Sequence, residues 1–290
     1  MDDEPPALPP LVSLFVYGAL RPNDETAIPL ASAATLTYAG IDIFDDVSDG
    51  DHPTYWGDFG PGDMNLAAAT LLAGLSRLAI LELDTAVSIR VAIERSLGRG
   101  LLEMSAGQQY DLATAGSATP TVDEVEASVC AKSGKEVAMF ARIGAQFADS
   151  PPDVVAAYEL FGYYLGAAGQ FASDCFELYQ DPESRDLAHG TRTLPIAFHL
   201  EGLSPPDRPA FLALLDQACH DEEARRTVRK RLRDAGDLRR CAFLVETYCQ
   251  RALRLLEQTG ACLEPSRSVL LGLIDSASFF PKGRAFCPRP

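Results

Sequence analysis

The spacing of apolar residues predicts helices along most of the chain. In eight segments apolar residues recur every three or four positions, as on the buried side of an amphipathic helix, whereas alternating strand patterns are scarce. The predicted helices are residues 27–48, 65–98, 122–148, 153–180, 207–220, 221–234, 237–259 and 266–277. Most of the turn-forming stretches between them are too short to be interdomain linkers. The pattern predicts an all-α fold, with a flexible N-terminus at residues 1–10 and one domain at residues 11–290.

Composition favours a soluble protein. The chain has 290 residues, of which 47% are apolar, and this is long enough to bury a sizeable core. Polar residues interrupt the apolar runs before they reach the roughly 18 to 20 residues of a membrane span, and the first residues show no signal segment. The seven cysteines are scattered and include no C-x-x-C pair. We therefore expect a cytoplasmic protein with reduced cysteines and no membrane span.

The distribution of charge narrows the possible partners. The formal net charge of −16 argues against binding to nucleic acid or to an anionic membrane surface. Arg21 is the only Lys or Arg before Arg77, and seven aspartates lie between residues 42 and 63. The one basic block, residues 225–240, has apolar residues at helical spacing, which favours a solvated helix pair over a binding patch.

Two acidic helical faces carry the candidate chemistry. The first consists of Asp42, Asp45, Asp46 and Asp49, at positions i, i+3, i+4 and i+7 of one predicted helix. Like charges at this spacing repel each other, so an apolar helix that carries them is more stable when cations neutralise them. The second face has the same spacing and consists of Gln170, Ser173, Asp174, Glu177 and Asp181. Oxygen ligands without His or Cys favour Mg²⁺ over zinc. The alternative is a pair of stripes that simply face solvent.

The sequence resembles the trans-isoprenyl diphosphate synthase, or polyprenyl synthetase, family at several collinear motifs. Asp45-Asp46-Val47-Ser48-Asp49 is similar to the first aspartate-rich motif, DDxxD, and residues 107–112 match GQxxDL. Lys132-Ser133 resembles the K-T/S segment, and residues 185–195 resemble the SDLxxGKxTLP segment. Residues 169–177 align with the second aspartate-rich motif, FQxxDDxxD, and the resemblance covers roughly residues 30–260.

This resemblance implies a fold, an activity and a set of site residues. The fold is a single-domain isoprenoid-synthase helical bundle with a central apolar cavity, and the activity is ionisation of an allylic prenyl diphosphate. Three Mg²⁺ ions would be held by Asp45, Asp46, Asp49, Asp174 and Glu177. The catalytic residues would be Asp45, Asp46, Lys132 and Asp174, and the substrate would contact Gln108, Asp111, Lys132, Ser133, Gln170 and Arg192. The family also implies a homodimer.

The departures from the family pattern leave three functions open. Ser173 replaces the first Asp of the second motif, Thr191 stands at the usual Lys position, and residues 51–65 contain no Lys or Arg. In the family, basic residues after DDxxD hold isopentenyl diphosphate. We therefore expect a prenyltransferase with another acceptor. The alternatives are a class I terpene cyclase, which the spacing of Ser173, Glu177 and Asp181 resembles, and an inactive partner subunit.

Overall fold

The computed structural model describes residues 8–22, 25–50, 53, 56–114, 119–180, 184–259 and 263–280. Within these residues every regular element is helical, which confirms the predicted all-α fold. The α-helices are α1 (Leu8–Leu20), α2 (Ile28–Asp49), α3 (Pro61–Thr70), α4 (Ser76–Leu81), α5 (Val87–Thr114), α6 (Val122–Val129), α7 (Lys135–Phe147), α8 (Pro152–Gln180), α9 (Arg185–His189), α10 (Leu194–Gly202), α11 (Arg208–Ala218), α12 (Glu222–Ala235), α13 (Asp237–Gln258) and α14 (Ser266–Ala277). Two π-helical segments, Leu71–Leu75 and Cys130–Gly134, connect α3 to α4 and α6 to α7.

The chain forms two compact units. Unit 1 comprises Met1–Gly100, Val137–Gly162 and Leu256–Leu270, and unit 2 comprises Leu101–Glu136, Tyr163–Leu255 and Leu271–Pro290. Residues 1–7 of the predicted flexible N-terminus lie outside the described residues, and residues 8–10 are the first residues of α1. The division of the chain into domains stays a prediction.

In unit 1, α1 is anchored by backbone and ring contacts. The Tyr17 ring lies 5.1 Å from the Phe147 ring of α7, and the Leu263 amide donates a hydrogen bond of 2.8 Å to the Ala19 carbonyl. The sequence analysis did not predict this helix, because the run begins with Pro9 and Pro10. Proline is compatible with the first turn of a helix, where its missing N–H has no intrahelical partner.

Helix α2 packs closely against the segment that follows it in unit 1. Ile43 forms a small core with Met64 and Ala68 of α3. Gly40 permits this approach, because a Cβ atom there would lie 2.6 Å from Cγ of Leu72. The packing fixes the face of α2 on which the acidic residues lie.

The prediction of one continuous helix over residues 65–98 is wrong at residues 82–86, whereas helical structure on both sides of this break is confirmed. The structure divides this region into α3, a π-helical segment, α4 and the start of α5, with a non-helical stretch at residues 82–86. Arg90 stabilises the break by donating to the carbonyls of Leu81 at 3.4 Å and Leu83 at 3.2 Å. The side chain therefore satisfies the Leu81 carbonyl at the end of α4, a role that apolar periodicity does not reveal.

In unit 2, helices α8–α12 pack around a common apolar core. A polar side chain of α12 also binds the end of α8. Buried apolar residues from these helices include Leu178, Leu187, Phe211 and Val228. Arg229 of α12 donates a 2.7 Å hydrogen bond to the Leu178 carbonyl near the end of α8. These contacts fix the C-terminal part of α8, where the second acidic face lies.

Two continuous helical stretches are long and apolar enough to cross a membrane. In Glu25–Asp49, an 18-residue window has a mean hydropathy of 1.3, and 39% of this window is buried. In Pro61–Leu81, which spans α3, the π-helical segment and α4, the corresponding values are 1.6 and 22%. The sequence analysis predicted no membrane span here, because Ala, Gly and Thr separate the large apolar residues of these stretches. Core helices of soluble proteins meet the same criteria, so these two helices are weak evidence for a membrane protein.

Candidate functional site

The first acidic face lies at the C-terminal end of α2, in unit 1. Asp45 and Asp46 are half-buried, and Asp49, the last residue of the helix, is exposed. Gly50 then ends the helix in the left-handed conformation, with φ of 76°. Partial burial and the nearby charge of Asp45 raise the pKa of Asp42 above its ordinary value. The helix thus concentrates like charges at one end, an arrangement that a bound cation would relieve.

In unit 2, a chain of hydrogen bonds connects α8 to the π-helical segment Cys130–Gly134. The Ser133 hydroxyl donates to Gln170 Oε1 at 3.2 Å, and Gln170 Nε2 donates to Asp174 Oδ1 at 2.8 Å. The structure therefore brings together Ser133, Gln170 and Asp174, three of the predicted site residues. Lys132 directly precedes Ser133 and is half-buried, so the bond from Ser133 to Gln170 also fixes the backbone next to Lys132.

Burial dominates the electrostatics of Asp174. The side chain is buried, and this burial raises its pKa from 3.8 to about 7, while the bond from Gln170 opposes the shift. The charges of Asp186 and Glu177 raise the pKa further. Asp174 is therefore partly protonated near neutral pH, unlike an exposed aspartate.

Asp186 belongs to the same acidic cluster, and the sequence analysis assigned it no role. Its backbone amide donates a 2.6 Å hydrogen bond to Glu177 Oε1. Burial and the charge of Glu177 raise the pKa of its own carboxyl from 3.8 to about 6, while Arg185 and His189 oppose the shift. The position of Asp186 within the SDLxxGKxTLP-like segment is the sequence feature that could have identified it as a site residue.

Exposure differs sharply between neighbouring residues of the second acidic face. Gln170 and Ser173 are exposed, Glu177 is half-buried and Asp174 is buried. Asp181 lies outside the described residues. A serine hydroxyl therefore occupies the accessible position where the family pattern has an aspartate.

The GQxxDL-like segment lies in the last turns of α5. A Cβ atom on Gly107 would lie 3.1 Å from Ala131 Cβ, so glycine allows α5 to approach the segment that carries Lys132. Gln108 is half-buried. Asp111 lies in α5, but its side chain is outside the described part of the structure.

Arg192 is held by protein groups in the loop after α9. Its guanidinium donates to the Gly190 carbonyl at 2.7 Å and pairs with Asp216 at 3.5 Å. Gly190 makes this loop possible, since its φ of +74° is a conformation that other residues rarely adopt. A contact between Arg192 and a diphosphate stays a prediction.

The donor atoms of these residues fit Mg²⁺. Among the residues that the structure describes, no three His, Cys, Asp or Glu side chains form a preformed metal cage. Mg²⁺ is commonly bound by one or two carboxylates, with substrate phosphates and water completing the octahedron. The oxygen-only donors and crowded charges of α2 match that mode of binding.

Comparison with known proteins places the chain in a family. The polyprenyl synthetase family model matches residues 7–232. The chain is 30% identical over 203 residues to geranylgeranyl diphosphate synthase of Mycobacterium tuberculosis, an alignment that covers 66% of the chain and 57% of that relative. It is 24% identical over 284 residues to geranylfarnesyl diphosphate synthase of Aeropyrum pernix, covering 92% and 88%. The chain thus spans little more than half the length of its mycobacterial relative.

Solved structures show the same fold. A polyprenyl synthetase from Streptomyces coelicolor A3(2) superposes with a TM-score of 0.83 at 21% identity, over 96% of this chain and 86% of that one. Geranylgeranyl pyrophosphate synthase from Corynebacterium glutamicum, in complex with isoprenyl diphosphate and magnesium, gives a TM-score of 0.79 at 16% identity, covering 93% and 85%. With its helical fold, its acidic faces and the match over residues 7–232, the chain belongs to the polyprenyl synthetase family.

Proposed function

We propose that this protein is a Mg²⁺-dependent prenyltransferase that ionises an allylic prenyl diphosphate and transfers the prenyl group to an acceptor other than isopentenyl diphosphate. The observation that carries the proposal is the acidic end of α2, where Asp45 and Asp46 are half-buried beside Asp49. The complex of the Corynebacterium relative with isoprenyl diphosphate and magnesium supports the choice of ligand. The number of bound ions, a homodimer and a cytoplasmic location stay predictions.

In this proposal, carboxylates and a lysine bind the diphosphate. Asp45, Asp46 and Asp49 would hold Mg²⁺, which supplies positive charge to the leaving diphosphate as the carbon–oxygen bond breaks. Lys132 would add a fixed positive charge, in a position set by the hydrogen bond of its neighbour Ser133 to Gln170. Asp174 and Glu177 would contribute from α8, with Glu177 oriented by the Asp186 amide.

The two arginines within residues 1–77 are both bound to protein groups, which supports an acceptor without a diphosphate. Arg21 donates to the Ala148 carbonyl at 2.9 Å, and Arg77 is paired with Glu94. No other Lys or Arg occurs between residues 1 and 77. A second dianion would thus lack fixed cations in this part of the sequence, and an aromatic compound or a peptide is a better acceptor.

One observation favours a class I terpene cyclase as a second candidate. Ser173 is exposed, whereas the adjacent Asp174 is buried. Ser173 and Glu177 lie four residues apart, on one side of α8, as the hydroxyl and carboxylate ligands of a cyclase metal site would. In a cyclase the acceptor is a double bond of the substrate itself.

Product analysis separates these functions. The protein would be incubated with Mg²⁺ and geranyl, farnesyl or geranylgeranyl diphosphate, each with and without isopentenyl diphosphate. Diphosphate release that requires an added aromatic or peptide acceptor supports the proposal. Hydrocarbons or alcohols from one substrate identify a cyclase, longer diphosphates only with both substrates identify chain elongation, and no turnover in any combination identifies an inactive subunit.

A double substitution tests the role of α2 directly. Asp45→Asn with Asp46→Asn should reduce Mg²⁺-dependent diphosphate release by at least a hundredfold, because the metal would lose two charged ligands. Asp58→Asn, at an exposed residue outside the motif, is the matched control. Release that survives the double substitution would exclude α2 as the metal site.

A further inference from the structure

Three phenylalanine side chains are exposed together on unit 2. Phe243 of α13 is 76% exposed, and Phe279 and Phe280, which follow α14, are 38% and 65% exposed. Large aromatic side chains are normally buried because they remove much apolar area from water. Their joint exposure indicates a surface with a partner.

Hydrogen bonds place the segment that carries Phe279 and Phe280 beside α13. The Ser278 hydroxyl donates to Glu246 Oε2 at 2.7 Å, and the Phe280 amide donates to Ser278 Oγ at 3.0 Å. Glu246 lies three residues after Phe243, so the segment after α14 is fastened to the turn of α13 that follows Phe243. We call these three rings the phenylalanine patch.

Arginines flank the phenylalanine patch on the exposed side of α13. Arg239, Arg240, Arg251 and Arg254 are all exposed, and at helical spacing they lie on both sides of Phe243. Arg240 also stacks on Phe198, with its guanidinium carbon 4.3 Å from the ring centroid. Helix α13 contains these four arginines and three acidic residues, of which Asp237 is buried.

We propose that the phenylalanine patch and its arginines form a peripheral binding site for an anionic lipid bilayer. The rings would enter the interface between headgroups and acyl chains, while the arginines contact lipid phosphates. The net charge of −16 argues against such a surface. However, charges are screened beyond about 8 to 10 Å at physiological salt, so the four exposed arginines of α13, which outnumber Glu246 and Glu257 on the same helix, govern a contact made there.

Area favours a bilayer over a stable protein partner. At roughly 200 Å² per phenylalanine, the three exposed fractions amount to about 360 Å². A stable protein–protein interface buries at least about 1,200 Å² in total. A bilayer needs no matching surface, and a few inserted rings with several arginines are sufficient for reversible binding. The inference does not depend on the proposed transferase activity.

Vesicle sedimentation tests the proposal on the full chain. Vesicles of phosphatidylcholine with 30% phosphatidylglycerol would be compared with vesicles of phosphatidylcholine alone. We expect binding only to the anionic vesicles, and weaker binding at high salt. Phe243→Ser with Phe280→Ser should weaken binding at least tenfold, and Arg239→Gln with Arg254→Gln should weaken it about fivefold per arginine.

A matched control tests whether vesicle binding depends on the phenylalanine patch rather than on any exposed apolar residues. Leu78→Ser with Leu81→Ser removes two leucines of α4 that are 59% and 60% exposed, and it should leave vesicle binding unchanged. Loss of binding in this control alone would place the contact on unit 1 and overturn the proposal. Equal binding to both vesicle types, no binding to either, or a change of oligomeric state on Phe243→Ser would also overturn it. Unchanged thermal unfolding of the patch variants would show that they fold.

Discussion

The buried carboxyl of Asp174 should make the stability of the protein depend on pH in a specific way. In the folded chain burial raises its pKa from 3.8 to about 7. Below about pH 3 both the folded and the unfolded state hold the neutral acid, so the group has almost no effect on stability there. As the pH rises towards 7, the unfolded state ionises more easily than the folded state, and the free energy of unfolding falls.

The size of this effect follows from the two pKa values. One pKa unit corresponds to about 1.4 kcal/mol, so Asp174 should cost about 2 kcal/mol of stability at pH 5 and about 4 kcal/mol at pH 8. Asp174→Asn removes the titration but keeps an oxygen that can accept the hydrogen bond from Gln170. Relative to wild type, the variant should therefore gain about 2 to 3 kcal/mol more at pH 8 than at pH 5.

Urea unfolding in EDTA, followed by circular dichroism at pH 5 and pH 8, measures this difference. EDTA removes divalent cations that would otherwise bind the carboxylates. Asp216→Asn is a suitable control, because the Asp216 side chain is 75% exposed and its substitution should act equally at both pH values. If Asp174→Asn shifts stability by the same amount at pH 5 and pH 8, Asp174 is not held as a neutral acid and the reasoning fails.

Three further substitutions test the helix packing and the hydrogen bonds around Asp174. Gly162→Ala should lower the free energy of unfolding by about 1 to 3 kcal/mol, because its Cβ would lie 2.5 Å from the Val137 carbonyl oxygen. Gly98→Ala, which meets open space on α5, should raise it by about 0.5 to 1 kcal/mol. Shifts of the same sign in thermal unfolding would contradict the contrast expected between the two variants. Gln170→Leu removes a hydrogen bond that lowers the pKa of Asp174, so its loss of stability should be greater at pH 8 than at pH 5, and parallel pH profiles would argue against this link.

Helices with one continuous apolar face could be predicted well from the sequence. The prediction for residues 27–48 differs from the observed Ile28–Asp49 by one residue at each end. The prediction for residues 65–98 missed the break at residues 82–86, because this stretch still contains apolar residues and has neither Gly nor Pro. Arg90, one turn inside the next helix, donates to a carbonyl at the end of α4, and periodicity contains no information about this contact.

The same limit applies to the candidate site. The aspartates of α2 and the residues around Lys132 could be found because each set lies within a short, regularly spaced segment. The burial of Asp174 and the approach of Asp186 to Glu177 depend on how α8 packs against its neighbours. Nine residues separate Glu177 from Asp186, so their proximity is a property of the folded chain.

The π-helical segment Cys130–Gly134 has a consequence for how this region can change by insertion and deletion. A π-helical turn behaves as an α-helix with one added residue, which the helix accommodates as a local bulge. Deletion of a single residue from this segment would restore regular α-helical bonding and rotate all preceding residues by about 100° relative to α7. Whether Ser133 points towards Gln170 therefore depends on the number of residues in this one turn. A one-residue change in length there, without any substitution, would be enough to dismantle the contact between Ser133 and α8.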